Sequence, residues 1–364
     1  DGPEFANRRP GFAGGLRFRL LAEDPAIRTI NADLRPGRHP GEASLGLSVY
    51  PQDRFDLYVT EANNRSPSVG GERISAGGSV RNALFAGDLL ALEGGLTDGV
   101  HDASASYETP FLSPRTTLSI RGGFNDAAVV DAGLRPLDIT AKERSVEGGL
   151  TRKLIDEPLL PTTTPGRWSP ARTLTIGGLV AWRRAESTLL GERFSFAPGA
   201  KNGRAEYEAF RLAADYVVRN VDQVVAVSAT GTVGLDCTHS DVAGVENPKR
   251  HFLAVLGQVN YARRLDDQGL ELRGRLSGQW AQGVLYSGER FSAGGETTVR
   301  GYRENLLLAD EGVVGSLELA RPFSLSGRQR AGRRFDWGAF NVAGFVDGAL
   351  VRNKADQQPA HSIY

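Results

Sequence analysis

Apolar and polar side chains alternate with a period of two along nearly the whole chain of 364 residues. In the segment 269–281, Leu272 and Leu276 fall on one face, whereas Arg273 and Arg275 fall on the other. A period of two is typical of a β-strand, because successive side chains point to opposite faces of the sheet. The sequence therefore predicts an all-β fold in which one face of each strand is apolar and the other must meet water.

Thirteen segments carry this alternation and are predicted as strands. They cover residues 55–62, 72–82, 88–96, 102–109, 116–125, 143–152, 172–186, 206–216, 223–234, 253–263, 269–281, 312–321 and 337–347. Two architectures use such strands. A soluble sandwich hides each apolar face against a second sheet. A transmembrane barrel turns the apolar face to lipid and lines a polar lumen with the charged face.

The lengths of the connections favour the barrel. If residue 55 begins on the periplasmic side, the connections on the other side, such as 187–205 and 282–311, are mostly longer than periplasmic ones such as 83–87 and 110–115. Outer-membrane barrels have short periplasmic turns and longer extracellular loops. The periplasmic connection 153–171 is an exception. No run approaches the roughly 18 apolar residues of a membrane helix, but a spanning strand needs only about 9–11.

Composition excludes several other classes of protein. The 43 Lys and Arg residues are balanced by 43 Asp and Glu residues, which removes the basic footprint of a nucleic-acid-binding protein. The single cysteine, Cys237, excludes a disulfide framework, and the five histidines lack the helical spacing of a zinc site. The adjacent carboxylates Asp310 and Glu311 fall beside a strand end and are expected to be solvated. No catalytic residue, metal site or cofactor is predicted, and the chain is not expected to be an enzyme.

The first fifty residues have a different pattern. A short helix is predicted to end near Pro25, followed by an extended segment at 28–34, a turn, and an alternating stretch at 45–49. A unit of this size buries too little surface to be stable by itself. We therefore expect residues 1–50 to be the end of a separate α+β module and residues 51–364 to form the barrel.

Two short motifs carry a resemblance to a known family. The long connection after the eleventh predicted strand contains Val299-Arg300-Gly301-Tyr302, and the last predicted strand runs into Gly344-Phe345-Val346-Asp347-Gly348. The first resembles the sixth-loop motif of the outer-membrane-protein-85 superfamily, and the second resembles a strand motif of the same superfamily. Within it, the chain is most similar to two-partner-secretion transporters of the haemolysin and haemagglutinin secretion type.

The resemblance implies a fold and a function. The fold is a sixteen-stranded outer-membrane barrel, of which thirteen strands are visible, so that the chain is expected to be truncated at both ends. Residues 1–50 are then the C-terminal part of a periplasmic POTRA module. The implied function is secretion, with or without activation, of a large partner protein that arrives unfolded in the periplasm of a Gram-negative bacterium. The transporter is expected to be a monomer in outer-membrane lipid, without nucleic acid or cofactor.

The long connection 282–311 is predicted to fold into the barrel, because a loop of this length is too long for a tight hairpin. Strand parity places Asp347 and Glu318 on the inward face. Spacing alone leaves open whether Arg300 meets a carboxylate of the lumen or is a solvated loop arginine. The resemblance implies that Asp347 is its partner, and we expect the contact to anchor the loop inside the barrel.

Three alternatives stay open at this point. An insertase of the same superfamily assembles other barrels. A passive porin has no protein client, and a soluble all-β enzyme or binding sandwich does not enter the membrane. Because three closing strands of the expected sixteen are missing, the barrel reading also predicts a gap or an irregular seam between the strands at 55–62 and 337–347.

Overall fold

A computed structural model describes residues 27–36, 43–63, 65–164, 166–237, 247–326, 336–355 and 361–364. In chain order the strands are β1 Ile27–Pro36, β2 Ala43–Pro51, β3 Phe55–Ala62, β4 Arg73–Arg81, β5 Leu89–Leu96, β6 Val100–Phe111, β7 Ser113–Ala128, β8 Thr140–Glu157, β9 Leu160–Pro161, β10 Trp168–Ser169, β11 Ala171–Leu189, β12 Glu192–Arg193, β13 Arg204–Arg219, β14 Gln223–Cys237, β15 Leu253–Arg264, β16 Glu271–Ala281, β17 Phe291–Ala293, β18 Leu307–Ala309, β19 Glu311–Ser326, β20 Asp336–Arg352 and β21 His361–Ile363. Among these described residues, three short 3₁₀ helices occupy Pro67–Val69, Arg135–Leu137 and Ser287–Glu289. No helix in these described ranges has the length and apolar character needed to cross a membrane.

One large antiparallel sheet of 15 strands dominates the fold. Its order is β3-β4-β5-β6-β7-β8-β11-β13-β14-β15-β16-β19-β20-β21, with the two-residue strand β12 beside β11. Without β12 and the three-residue strand β21, thirteen long strands remain, and each overlaps one of the thirteen predicted segments. The predicted all-β fold and strand order along the chain are therefore confirmed.

The two faces of the sheet have different surroundings. Large apolar side chains point outward from one face, with Leu57 83% exposed and Val346 75% exposed. The opposite face carries Tyr207, Ala209 and Arg211, which lie beneath the connection between β16 and β19. The other sheets among the described residues are pairs of two strands each. None of them is large enough to cover the apolar face, so the soluble sandwich is not supported.

The large sheet has two unpaired edges among the described residues. β3 ends the strand order on one side, and β21, which pairs only with β20, ends it on the other. The seam expected between the first and last long strands is present at this place.

The strands β1 and β2 form a separate antiparallel pair before the large sheet. Their register places Asp33 opposite Gly46 and Asn31 opposite Ser48. The helix predicted near Pro25 lies outside the described residues. The assignment of residues 1–50 to a POTRA module therefore stays a prediction.

Candidate functional site

The connection between β16 and β19, residues 282–310, is called the long loop below. It begins with the 3₁₀ turn Ser287–Glu289 and continues as the hairpin of β17 and β18, in which Phe291 pairs with Ala309. Two glycines make the return of the chain possible: Gly294 has φ +108° and Gly295 has φ +107°. A Cβ atom on Gly294 would lie 2.5 Å from the carbonyl oxygen of Arg303, so only glycine fits there.

Arg300, near the tip of the long loop, binds Asp347 on β20 with three hydrogen bonds. Its Nε donates to Oδ2 at 2.7 Å, its Nη2 donates to Oδ1 at 2.8 Å, and its backbone N–H donates to Oδ2 at 3.1 Å. The side chain of Asp347 is only 3% exposed. The planar guanidinium matches the carboxylate in a bidentate pair, which fixes the orientation of both groups.

Four further residues on β19, β20 and β16 complete the surroundings of Arg300. Its Nη1 donates to Glu318, and its Nη2 donates to Ser316 Oγ at 3.2 Å. The guanidinium carbon lies 3.5 Å from the ring centroid of Phe345. Arg273 approaches Glu318 from the other side at 3.2 Å. The hydrogen bonds that Arg300 donates to the carboxylates of Asp347 and Glu318 raise the pKa of Arg300 above its ordinary value. The cluster brings together two arginines and two acidic residues.

Strand register explains why these groups meet. Ser316 lies directly opposite Asp347, and Glu318 lies opposite Phe345 and Arg273. Residues that are paired in this way point to the same face of a sheet. Parity along the sequence predicted the inward direction of Asp347 and Glu318, whereas the contribution of Ser316 was missed because a serine on a polar face carries no distinctive signal.

The other motif residues have more varied surroundings. Val299 is buried and packs in a cluster with Phe291, Val314 and Val351. Tyr302 is exposed, and its hydroxyl donates to the backbone oxygen of Tyr364 at 3.1 Å.

The glycines of the two motifs differ in whether the structure requires glycine at their positions. Gly301 has φ +89°, a conformation that other residues rarely adopt. Nothing lies within 4 Å of a Cβ placed on Gly344, and on Gly348 the nearest atom would be at an ordinary 3.7 Å. The loop glycine is therefore required by backbone conformation, whereas space does not require the two strand glycines.

The expectation that Asp310 and Glu311 are solvated is wrong. Asp310 is 0% exposed and accepts hydrogen bonds from the backbone N–H groups of Leu285 at 2.9 Å and Lys354 at 2.7 Å. Glu311 binds Arg352 and the Lys354 ammonium, each at 2.6 Å. The sequence shows two acidic residues beside a strand end, but it does not show that partners from two other segments converge on them.

Cys237 lies beyond the end of the strand predicted at 223–234, but the observed strand includes it. It is the last residue of β14, where it pairs with Tyr207, and it is buried among Tyr207, Phe252 and Tyr286. A register shift just before it, between the pairs of Tyr207 and Ala209, changes the face to which the strand end points. Period-two counting cannot locate such a bulge.

Within the part of the chain that the structure describes, no group of three or more His, Cys, Asp or Glu residues is placed to hold a metal ion. The ion pairs and hydrogen bonds of Arg300 hold the long loop against the large sheet.

Comparison with known protein families relates this arrangement to one of them. Residues 201–344 match the haemolysin secretion/activation proteins ShlB/FhaC/HecB. The matched region runs from just before β13 into β20 and includes the long loop with its Val299-Arg300-Gly301-Tyr302 motif. The resemblance read from the sequence motifs is confirmed by this ShlB/FhaC/HecB match.

Solved structures are similar in fold to nearly the whole chain. CdiB from Escherichia coli is similar with a TM-score of 0.72 and 18% sequence identity, over 93% of this chain and 61% of that chain. CdiB from Acinetobacter baumannii is similar with a TM-score of 0.59 and 16% identity, over 90% of this chain and 60% of that chain. The chain therefore spans about three fifths of the length of these two CdiB structures, and it shares their β-barrel fold.

A more distant similarity extends to BamA from Haemophilus ducreyi lacking POTRA domains 1–3, with a TM-score of 0.53 and 14% identity over 94% of this chain and 66% of that chain. No curated protein sequence is significantly similar to this chain. The solved structures give the barrel fold, and the family match covers the region from just before β13 into β20.

Proposed function

We propose that this chain is the barrel part of an outer-membrane transporter that secretes a large partner protein by the two-partner route. The match of residues 201–344 to the ShlB/FhaC/HecB family supports this proposal, as does the similarity of the fold to CdiB. The single observation that carries it is the long loop, held on the inner face by Arg300, Asp347 and Glu318.

The Arg300 cluster serves to position the loop. A partly hydrated ion pair contributes only about 0–1 kcal/mol to stability, so its main effect is to define where the loop rests. An extended polypeptide passes through the lumen of a wide barrel only when the loop leaves part of that space. The cluster therefore sets the closed state from which transport begins.

Recognition of the partner is assigned to the periplasmic module. An extended segment of an unfolded client adds a strand to an exposed sheet edge, with main-chain hydrogen bonds giving affinity. In this proposal the pair β1 and β2, with residues 27–36 and 43–51, belongs to that module; their antiparallel pairing supports a small sheet there. Folding of the partner outside the cell then gives the direction of transport, because the periplasm supplies no nucleotide.

A charge exchange tests the proposal. Secretion of the partner protein is measured in cells that carry the full-length transporter with Arg300→Asp, with Asp347→Arg, or with both substitutions. We expect each single variant to lower secretion several-fold and the double variant to recover part of it. Arg303→Ala, which changes an exposed arginine of the same loop, is the control and leaves secretion unchanged.

Barrel insertion is the second candidate function, because the fold is also similar to that of BamA. The two functions predict different defects. Loss of the transporter stops export of one secreted protein, whereas loss of an insertase lowers the amounts of many outer-membrane barrels. If deletion of the gene depletes unrelated barrel proteins and leaves secretion intact, the transporter proposal is wrong.

A further inference from the structure

A second contact of the long loop lies far from Arg300 in the strand order. The carboxylate of Glu289, in the 3₁₀ turn that opens the loop, accepts hydrogen bonds from Tyr207 Oη at 2.9 Å and Arg211 Nη2 at 2.7 Å, both on β13. The Nε of Arg183 on β11 lies 3.9 Å from the same carboxylate oxygen. The side chain of Glu289 is only 8% exposed, so this contact is largely shielded from solvent.

The surroundings of Glu289 extend across the inner face of three neighbouring strands, β8, β11 and β13. Arg211 also binds Glu147 on β8, and Arg183 lies 3.4 Å from Glu143 on the same strand. Two arginines therefore face three carboxylates, and Glu289 is the one that the loop contributes. Arg211 is 13% exposed, and without Glu289 its one remaining ion-pair partner among these residues would be Glu147.

Close packing at Gly288 adds a second constraint on this turn. Its backbone oxygen accepts a hydrogen bond from Arg183 Nη1 at 3.3 Å. A Cβ atom at Gly288 would lie 2.7 Å from the hydroxyl of Tyr207 and 2.9 Å from Arg183 Nη1. The backbone of the turn thus rests directly on the two side chains that hold Glu289.

The two contacts of the loop share no residue. The carboxylate of Glu289 is held by β11 and β13, whereas the guanidinium of Arg300 is held by β19 and β20. The strands β14, β15 and β16 lie between these groups in the sheet, and Gln279 on β16 donates to the backbone oxygen of Glu289 at 2.9 Å. Between the two contacts, a cavity of about 410 Å³ separates the loop from β15 and β16, with Gln258, Ser277 and Thr297 in its lining. The loop therefore crosses these three strands with side-chain anchors near both ends and incomplete packing in the middle, where Arg275 on β16 donates to the backbone oxygen of Thr297 at 3.3 Å.

We infer that Glu289 is a second anchor of the long loop, a positioning residue that holds the loop against β11 and β13 independently of Arg300. The consequence for transport rests on the proposed function. The long loop can leave the lumen only when the contacts of both Glu289 and Arg300 are broken. A signal that releases the Arg300 anchor alone frees the tip of the loop but leaves its first turn in place.

Hydrogen exchange of the full-length protein in lipid vesicles tests this inference without any client protein. Deuterium uptake is measured by mass spectrometry for peptides covering 284–293 and 297–303, in the wild-type protein and in Glu289→Ala, Glu289→Gln and Arg300→Ala variants. The control is Glu296→Ala, which removes an exposed glutamate of the same loop. Retention of the wild-type circular dichroism spectrum identifies the variants that have folded.

Independent anchors predict separate responses of the two peptides. In Glu289→Ala, the loss of hydrogen bonds to a charged group raises the exchange rate of peptide 284–293 about tenfold, while peptide 297–303 keeps its protection. The rise is smaller in Glu289→Gln and absent in Glu296→Ala. Arg300→Ala gives the reverse pattern. If Glu289→Ala leaves 284–293 unchanged, or if either alanine variant releases both peptides together, the inference is wrong.

A secretion assay of the same variants separates this inference from the proposed function. If exchange follows the expected pattern but the variants secrete like the wild type, the second anchor is supported and its role in transport is contradicted. If the protein has no secreted client at all, the exchange result is unaffected, because it depends only on contacts within this chain.

Discussion

Arg300 uses several donors at once, and this explains why an arginine stands at this position. The guanidinium reaches Asp347 in a bidentate pair, Glu318 and Ser316 at the same time. A lysine ammonium is a compact charge that cannot satisfy these acceptors in one plane. The residue therefore determines the orientation of the loop in addition to supplying a positive charge.

Arg300→Lys is expected to keep the charge but to weaken the anchor by roughly 1 kcal/mol, since the site is partly hydrated. Deuterium uptake of residues 297–303 should rise about fivefold, below the rise in Arg300→Ala. Arg303→Lys, the matched change at an exposed arginine, should have no effect. Wild-type protection in Arg300→Lys would show that charge alone is sufficient.

Gly294→Ala tests the turn that follows β17. The substitution places a Cβ atom 2.5 Å from the Arg303 oxygen in a backbone with φ +108°. We expect the turn to lose about 1–2 kcal/mol, measured as faster exchange of residues 292–306. Gly283→Ala is the control, because nothing lies within 4 Å of a Cβ placed there. Equal exchange in the two variants would contradict this account of the turn.

The roles of some of these residues could be predicted from the sequence, whereas those of others could not. Arg300 and Asp347 stand in recognisable motifs, and parity gives the direction of Asp347 and Glu318. Glu289 and Asp310 stand in no such pattern, because their partners come from distant strands or from a following connection. A charge that is buried by long-range contacts looks the same in a sequence as a charge in solvent.

At the scale of elements, the strands were predictable but their ends were not. The strand predicted at 143–152 runs from Thr140 to Glu157, and the strand predicted at 116–125 runs from Ser113 to Ala128. Beyond the apolar band, the ladder continues through polar pairs such as Asp126 opposite Lys142. Alternation of hydrophobicity fades there although the backbone hydrogen bonds persist, so the pattern underestimates strand length.

A charged side chain on the outward face of β20 is expected to destabilise the barrel. Val346 is 75% exposed and lies opposite Leu317, which is 57% exposed, on the apolar face. We expect Val346→Arg to destabilise the barrel by about 2–4 kcal/mol if this position lies near the middle of the bilayer. Urea unfolding in lipid vesicles measures the change. Ala343→Arg, on the other face of the same strand, should cost less, and the opposite order would reverse our assignment of the two faces.

Asp88, in the turn between β4 and β5, makes that turn sensitive to acid. Its carboxylate accepts hydrogen bonds from the backbone N–H groups of Ala83 at 2.6 Å and of Leu84 and Phe85 at 2.8 Å, and from Tyr107 Oη at 2.9 Å. Burial by itself raises the pKa of Asp88, but these hydrogen bonds outweigh it and lower the pKa below its ordinary value. The charged form is therefore the one that the fold stabilises.

A carboxylate with a lowered pKa in the folded state contributes stability that is complete above its ordinary pKa of about 3.9 and is lost as the pH falls through the lower, folded value. We expect exchange of residues 82–88, corrected for the intrinsic pH dependence, to be slow at neutral pH and to accelerate in this acid range. In Asp88→Asn the exchange should already be fast at neutral pH and should change little with acid. Slow exchange of the asparagine variant at neutral pH would show that the charge is dispensable.

At the scale of the whole molecule, the sheet has a simple topology. Each long strand pairs with the long strands that precede and follow it in the chain, and the long loop joins β16 to β19 without changing this order. Short connections and neighbouring pairs are the common arrangement in antiparallel sheets, and the order was therefore predictable from the strand list. The attachment of the long loop was predictable only at Arg300, where a motif supplied the partner.

The positions of the two anchors along the chain have a consequence for assembly. The groups that hold Glu289, on β11 and β13, precede the loop, whereas the groups that hold Arg300, on β19 and β20, follow it. As hairpins add in order, the first turn of the loop already has its docking surface before the tip has any. The long loop would thus attach to the barrel in two stages. Its attachment would be complete only when the final long strands, β19 and β20, have joined the sheet.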